Sequence, residues 1–325
     1  MATLILDNRA LELAIDGQAL ALYEAGERRG SLPLKLLERV ILQGDLALTS
    51  GVLTRLSENG TAILMLSKRH SRRLALVLGP VHNDAAIRLA QALAVADERW
   101  CAQWALRQVR SKLRAQVRLV RQALAARPDC HKVLCDTLAS LQASLDALAN
   151  PEHPAEPQRI RGLEGAAARA YFQGLAALFP PGLGFAGRNR RPPRDPVNAC
   201  LSLAYTLLHF DAVRAAHIAG LDPLLGFYHR PAFGRESLAS DLIEPLRPQA
   251  DAWVWQLFRQ RKLRAEHFGH DGNACLLGKA GREVFYQDYE TFAAAPRRLL
   301  RRHCRLLAAH FRGRAIPLLG HEEGE

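Results

Sequence analysis

The sequence predicts an α+β fold: a small β-rich N-terminal domain over residues 1–80, followed by a larger all-α domain over residues 81–325. Two observations carry this. Up to Leu66 the apolar residues fall in short or alternating runs broken by turn pairs, and from Asn83 onward they recur at three- and four-residue steps. A third observation agrees with the division. The chain has 44 Lys plus Arg against 32 Asp plus Glu, a surplus of twelve. Residues 1–80 hold only ten basic and eight acidic side chains, so ten of the twelve surplus charges lie beyond them.

In chain order, residues 3–6, 11–15, 19–24, 28–33, 40–43 and 62–66 read as strands, with Asp16-Gly17, Gly26 and Asn59-Gly60 at the turns. A short helix over 50–58, capped by Ser50, fits between the last two strands. The basic stretch from Lys68 to Arg73 and then Gly79-Pro80 mark the exit and a linker. Next comes a long helix whose apolar stripe runs through Leu106, Val109, Leu113, Val117, Val120 and Leu124. Arg107, Arg110, Arg114, Arg118 and Arg121 recur at the same steps, displaced by about 100° around the helix. A solvated face and a phosphate-tracking face both account for that arginine stripe. Further helices are expected over 132–149, 158–178, 196–219, 239–262 and the arginine-dense 297–311, with breaks at Pro151–Pro157 and Pro180–Pro193 and a frayed acidic tail from His321.

The charge surplus favours polyanionic partners, nucleic acid first among them. The six cysteines show no disulfide ladder and read as buried, reduced thiols. No apolar run reaches the roughly 18 residues of a membrane span, and no signal-peptide layout opens the chain. These features argue against secreted disulfide scaffolds and membrane proteins and fit a soluble, cytoplasmic protein.

Three stretches differ from ordinary helix filler. In Arg161–Phe172, Glu164 stands among Gly162, Gly165 and alanines, small residues that permit close approach of a backbone, a metal or a phosphate, although each glycine weakens a helix by about 1 kcal/mol. Gly220–His229 is a turn and short apolar run ending on an imidazole. In Ser237–Pro248, Ser237 can cap a helix that puts Asp241 and Glu244 on one face, and Pro245 should kink it. Taken singly, Glu164 and His229 are better explained as a surface or helix-terminal acid and a satisfied histidine than as ligands. Together, two carboxylates and a neutral imidazole can hold Mg²⁺ or Mn²⁺ with positions left for water and a phosphate oxygen. Spacing does not show that they meet.

These stretches, with Gly30-Ser31-Leu32-Pro33, the run Arg188–Ala199 and Ser202–Leu208, resemble in order and spacing the CRISPR-associated spacer integrase and endonuclease family of the Cas-one type, over essentially the whole chain. The resemblance implies a metal held by Glu164, His229 and Glu244, with Asp241 beside them or as an alternative ligand. It further implies an active-site tyrosine at Tyr205 and DNA-backbone contacts from Arg188, Arg190, Arg191 and Asn198. The implied activity is a metal-dependent endonuclease and integrase of antiviral defence, which inserts foreign DNA fragments as new spacers into a CRISPR array by 3′-hydroxyl transesterification. The implied partners are double-stranded and branched DNA, a second copy through the N-terminal domain, and a small protein of the Cas-two type. Two other readings of the residues are a non-catalytic DNA-binding structural subunit and a metal phosphodiesterase acting on RNA or small molecules.

Overall fold

The computed structural model describes residues 2–8, 10–67, 73–80, 82–150, 156–189 and 192–319. The chain divides into two compact units, Met1–Asn83 and Asp84–Glu325, and the secondary structure is β-rich in the first and mostly helical in the second. The expected α+β class is the observed one.

In the first unit, β1 (Ala2–Leu6), β5 (Leu37–Gln43), β7 (Ala62–Leu66) and β8 (Arg73–Val77) form one sheet in that order, parallel except for the last pair. A second sheet runs β4 (Glu27–Pro33), β3 (Ala19–Glu24), β2 (Leu11–Asp16) and β6 (Ala47–Leu48). Central parallel strands are covered on both faces, which is why β5 is an almost unbroken buried run from Leu37 to Gln43. The β3–β4 hairpin turns through Ala25 and Gly26, both at positive φ, the backbone a two-residue turn needs to match strand twist. Leu6, Leu13, Leu20, Val40, Leu56 and Ile63 join strands of both sheets and α1 (Ser50–Glu58) in one core.

Two expectations fail here. Ser50 is the first helical residue of α1 and Thr49 precedes it without a side-chain cap. The segment after the basic stretch is the strand β8 rather than linker, an edge strand whose Leu74 is exposed. Lys68, Arg69, His70, Ser71 and Arg72 lie outside the described residues, as do Pro151, Pro154 and the acidic tail.

The second unit contains α2 (Ala85–Ala96), α3 (Glu98–Ala126), α4 (His131–Ala149), α5 (Pro157–Ala176), α6 (Pro196–Ile218), α7 (Ser237–Ile243), α8 (Arg247–Arg259), the hairpin β9 (Phe268–Asp271) and β10 (Ala274–Leu277), and α9 (Lys279–Leu319). Its axis is α6, buried on nearly every side and packed on α7, α8, α9 and β10, as expected of a helix apolar all round. Helix α3 buries Val109, Leu113, Val117 and Val120 and exposes Arg107, Arg114, Arg118 and Arg121, so its two stripes occupy the faces the periodicity assigned.

The single helix expected over 239–262 is three pieces, because Pro245 and Pro248 each remove a backbone donor: α7, a 3₁₀ turn over Glu244–Leu246, and α8. Ser237 does not cap α7; its hydroxyl donates to the Arg230 carbonyl at 3.1 Å. The helix expected over 297–311 is part of α9, which continues through Pro296 back to Lys279. All six cysteines are free, but Cys130 and Cys135 are only half-buried. Among the described residues no helix is long and apolar enough to cross a membrane.

Candidate metal centre

The loop between α6 and α7 brings His229 into place by a chain of backbone constraints. Helix α6 ends at Ile218, and just past its cap Gly220 takes a left-handed φ of 82°, with the N–H groups of Gly220 and Leu221 reaching the carbonyls of His217 and Ala216 at 3.1 and 3.0 Å. The buried Gln91 of α2 then pins the loop. Its amide donates to the carbonyls of Asp222 and Leu225, both at 2.9 Å, and its oxygen accepts the Asp222 N–H at 2.8 Å. At Gly226 any Cβ would lie 2.5 Å from the Ser237 carbonyl carbon and 2.7 Å from the His229 oxygen, so only glycine permits the approach of loop to helix.

Asp241, fully buried on α7, organises the end of this loop. One carboxylate oxygen accepts the backbone N–H of His229 at 2.8 Å and lies 2.7 Å from its Nδ1. The other accepts the N–H groups of Phe227 and Tyr228 at 2.8 and 2.9 Å and the Trp104 indole at 3.2 Å. Five donors occupy the lone pairs of this carboxylate. Asp241 therefore holds His229 and its approach in place, and both of its oxygens are engaged by these donors. A carboxylate only accepts, so Nδ1 carries the proton and Nε2 is the ring nitrogen available for coordination.

Glu164 of α5 and Glu244, the first residue of the 3₁₀ turn, converge on Lys112 of α3. The ammonium lies 2.5 Å from Glu164 Oε1 and 2.7 Å from Glu244 Oε2. Each glutamate has a second, separate partner: Arg247 Nε lies 2.9 Å from Glu244 Oε1, and the Tyr228 hydroxyl donates to Glu164 Oε2. Burial alone would raise the Glu244 carboxyl, but Arg247 and Lys112 outweigh it and hold the pKa at about 2. Burial lowers the Lys112 ammonium, and Glu244 and Glu164 more than reverse this, so its pKa is raised. Burial and then Glu164 raise the Tyr228 phenol, which stays a donor. The residue before a proline ordinarily avoids the helical region, yet Glu244 keeps a helical backbone, φ −53° and ψ −46°, before Pro245.

Beneath these groups lies a buried layer. Asp251 of α8 accepts from the Tyr205 hydroxyl and, at 2.6 Å, from that of Tyr171. The Arg247 guanidinium lies 4.5 Å from the Tyr205 ring centroid and joins this layer to Glu244. Tyr205 thus supports the site through Arg247, and its hydroxyl is committed to Asp251. Asn198 and Arg188 are likewise tied inward. Asn198 is fully buried, accepts from Arg188 at 2.7 Å and donates to Asp195 and to the Gly187 carbonyl; Arg188 also donates to Ser202 at 3.0 Å. Asn198 is thereby withdrawn from the surface, whereas Arg188 stays half-buried. Arg190 and Arg191 lie outside the described residues.

Among the described residues nothing lies within 4 Å of where a Cβ would stand at Gly162 and Gly165, so no packing contact with those residues requires their smallness. The side chains that sequence reading missed are Lys112, Tyr228, Arg247 and Asp251. A signal existed for the first: Gln108, Lys112 and Gln116 follow each other at four-residue steps, a polar row on the inward side of α3.

Among the described residues no three His, Cys, Asp or Glu side chains are gathered tightly enough to share one ion as they stand. The Lys112 ammonium occupies the space between the two glutamates, a cation already held by both. Glu244 Oε2 is buried and, despite its nearness to Lys112, accepts no well-formed hydrogen bond. Two carboxylates and an imidazole with Nε2 available form a hard donor set that fits a divalent cation.

A groove of about 690 Å³ lies beside this centre, between α3, the 3₁₀ turn and α9. Arg107, Arg110, Arg114 and Arg118 line one wall, and Arg302 and His303 the other. Leu299 and Leu306 are exposed large apolar side chains on its rim.

The family model described as "CRISPR associated protein Cas1" matches residues 4–291. Among curated proteins, the chain is 34% identical over 309 residues to the CRISPR-associated endonuclease Cas1 1 of Thermodesulfovibrio yellowstonii, covering 93% of this chain and 94% of that protein. It is 32% identical over 289 residues to the CRISPR-associated endonuclease Cas1 3 of Thermus thermophilus, covering 88% and 82%. Among solved structures, a Cas1 protein from Thermotoga maritima superposes with a TM-score of 0.82 at 21% identity, covering 96% of this chain and 97% of that one. A casposase bound to its integration product gives 0.81 at 21% identity, covering 97% and 91%. A Cas6-RT-Cas1–Cas2 complex gives 0.81 at 23% identity, covering 96% of this chain and 35% of that one. At these identities the structural matches establish a shared fold.

Proposed function

The chain belongs to the CRISPR-associated Cas1 family, and from that premise we propose that it inserts short DNA fragments as new spacers into a CRISPR array with a divalent-metal centre at Glu164, His229 and Glu244. The observation that carries the site assignment is the convergence of Glu164 and Glu244 on one cation, with His229 oriented beside them by Asp241.

In the reaction a 3′-hydroxyl of the incoming DNA attacks a phosphodiester of the array. A new phosphorus–oxygen bond forms, the bond to the old 3′-oxygen breaks, and the proton of the attacking hydroxyl passes to solvent or a nearby base. When bound, Mg²⁺ or Mn²⁺ supplies a Lewis acid for the phosphate and lowers the pKa of the attacking hydroxyl. Glu164, Glu244 and Nε2 of His229 would hold the ion. Asp241 fixes the imidazole, and Arg247 and Tyr228 each fix one oxygen of a glutamate, so the donors are set before substrate arrives. Water in place of the hydroxyl gives hydrolysis at the same centre, and the reverse transesterification resolves branched DNA.

The arginine-lined groove beside the centre suits a DNA backbone, which favours DNA over a small-molecule substrate. By analogy with the named complexes, the partners are DNA and a small Cas2-type protein in the cytoplasm, with residues 1–80 pairing two copies and residues 81–325 doing the chemistry. The deciding experiment is strand transfer of labelled DNA ends into a repeat–spacer substrate. Wild-type protein with Mn²⁺ should join them and the Glu164→Ala protein should not. Joining by that variant at the wild-type rate would overturn the assignment.

A further inference from the structure

We propose that Lys112 is a tethered cation that competes with the divalent ion for Glu164 and Glu244 and leaves them when a DNA phosphate arrives, so that metal and DNA load the centre together. The inference rests on the metal site proposed above and concerns what occupies it beforehand. Lys112 Nζ contacts one oxygen of each carboxylate, Glu164 Oε1 at 2.5 Å and Glu244 Oε2 at 2.7 Å. The remaining oxygen of each has a different neighbour: Glu164 Oε2 accepts from the Tyr228 hydroxyl, and Glu244 Oε1 is ion-paired with Arg247, whose Nε lies 2.9 Å away without a well-formed hydrogen bond. Departure of Lys112 would therefore free two inward oxygens while both carboxylates stay oriented. These are the oxygens a shared divalent ion would need.

An ammonium and a dication cannot both sit between those oxygens. They would stand a few ångströms apart in a place where the side chains are about nine-tenths shielded from water, and like charges there repel strongly. Something must therefore draw the ammonium out. Lysine is suited to this, being a point charge on a flexible four-carbon stem that gives up one geometry for another more readily than a forked guanidinium. Its attachment point supplies a destination. Gln108, one turn before it on the same face of α3, and Pro245, next to Glu244, both line the basic groove where a phosphate backbone would be held. Phosphate there offers the ammonium a new anionic partner, and the vacated carboxylates then accept the ion. Because binding free energies are reciprocal, DNA should tighten metal binding by the same factor as metal tightens DNA binding.

The test measures Mn²⁺ affinity of the full chain by titration calorimetry and by the loss of free-ion EPR signal. It is done without DNA and with a short duplex whose 3′ ends lack the hydroxyl, so that it binds without joining. For wild type, the duplex should tighten Mn²⁺ binding by roughly tenfold, within the range of ordinary coupling between sites. In K112M, which keeps the stem and loses the charge, Mn²⁺ should bind the DNA-free protein roughly tenfold more tightly than in wild type, and the duplex should add much less. K112Q guards against a peculiarity of one replacement, and circular dichroism checks that each variant is folded. Equal or weaker Mn²⁺ binding by the folded variants would overturn the inference while leaving the metal site standing. So would the absence of any DNA effect in wild type, whether or not the variants fold. No Mn²⁺ binding by wild type or variant would overturn the metal site itself and this inference with it.

Discussion

Asp241 and His229 are joined twice through one atom: Oδ1 of Asp241 accepts the His229 backbone N–H at 2.8 Å and lies 2.7 Å from its Nδ1. The double contact fixes both the position of the residue and the rotation of its ring. The second oxygen fixes the two preceding residues through their N–H groups, so one buried carboxylate defines the whole approach of Phe227-Tyr228-His229 to the centre. A local i, i+3 reading of Asp241 with Glu244 suggested two ligands. The backbone donors instead engage Asp241 alone, whereas Glu244 faces Lys112 and Arg247.

Asp241→Asn is therefore expected to damage both stability and activity. Its amide nitrogen would face N–H donors at one of the two oxygen positions, leaving buried donors unpaired at about 1–3 kcal/mol each. Unfolding in urea should show a loss of roughly 2–4 kcal/mol, and metal affinity of the protein that remains folded should fall about 10–100-fold, as for other partners of metal-ligating histidines. An Asp241→Asn protein with unchanged Mn²⁺ affinity would show that His229 is not a ligand.

Removal of the ion should be as damaging as removal of its ligands. Excess EDTA, and separately Glu164→Gln or His229→Ala, should each lower strand transfer by more than about a hundredfold, with Mn²⁺ restoring only the EDTA-treated wild type. Glu164→Gln keeps an acceptor for the Tyr228 hydroxyl, so its melting temperature should change less than its activity. Undiminished joining in EDTA contradicts the mechanism.

Much of the fold was legible because local pattern decides it. The strand at 62–66 and the buried and charged stripes of α3 follow from alternation and from helical period, which tertiary context does not override there. The strand β8 was hidden behind its basic approach, and the β9–β10 hairpin is four residues a side, too short to set a period. For the centre, whole-chain resemblance grouped Glu164, His229 and Glu244, whereas the groups that hold them were not legible. Lys112 meets Glu164 across 52 positions, Tyr228 meets it across 64, and Tyr171 meets Asp251 across 80. No local propensity encodes such pairs. The burial of Asn198 was hidden for the opposite reason: polar residues after an arginine-rich stretch suggest a surface, but this one, in the first turn of α6, is buried with its amide bonded to the Gly187 carbonyl.

The arginine stripe of α3 can now be tested against its two readings. Arg114 and Arg118 are exposed, face the groove, and form no salt bridge with an acid among the described residues. If they track phosphate, replacing both with Gln should weaken duplex binding at low salt and reduce the slope of log affinity against log salt by roughly 2, one for each phosphate no longer neutralised. An unchanged slope, measured by fluorescence anisotropy from low to moderate salt, would make the stripe a solvated face and place the DNA elsewhere.

Asp251 gives a pH dependence of definite sign. Burial raises its carboxyl to about 6, against the lowering effect of hydrogen bonds from Tyr171 and Tyr205 and of Arg247. An unfolded aspartate titrates near 3.9, so between about pH 4 and 6 the folded chain binds more protons at this position than the unfolded one. Stability from this group is then present at the acid end of that window and declines as pH rises through the folded pKa, the reverse of a salt-bridged aspartate. Other groups titrate in the same range, so the comparison must be with Asp251→Asn, which carries a constant offset from its altered bonds to the two tyrosines but no titration. Wild type should lose about 1.4 kcal/mol relative to that variant between pH 5 and pH 7.5, one pKa unit's worth, in urea unfolding at the two pH values. A difference that does not change between the two pH values would mean that Asp251 is ionised throughout. The charge holding Arg247 against Tyr205 would then come from both acids, Asp251 and Glu244, rather than from Glu244 alone.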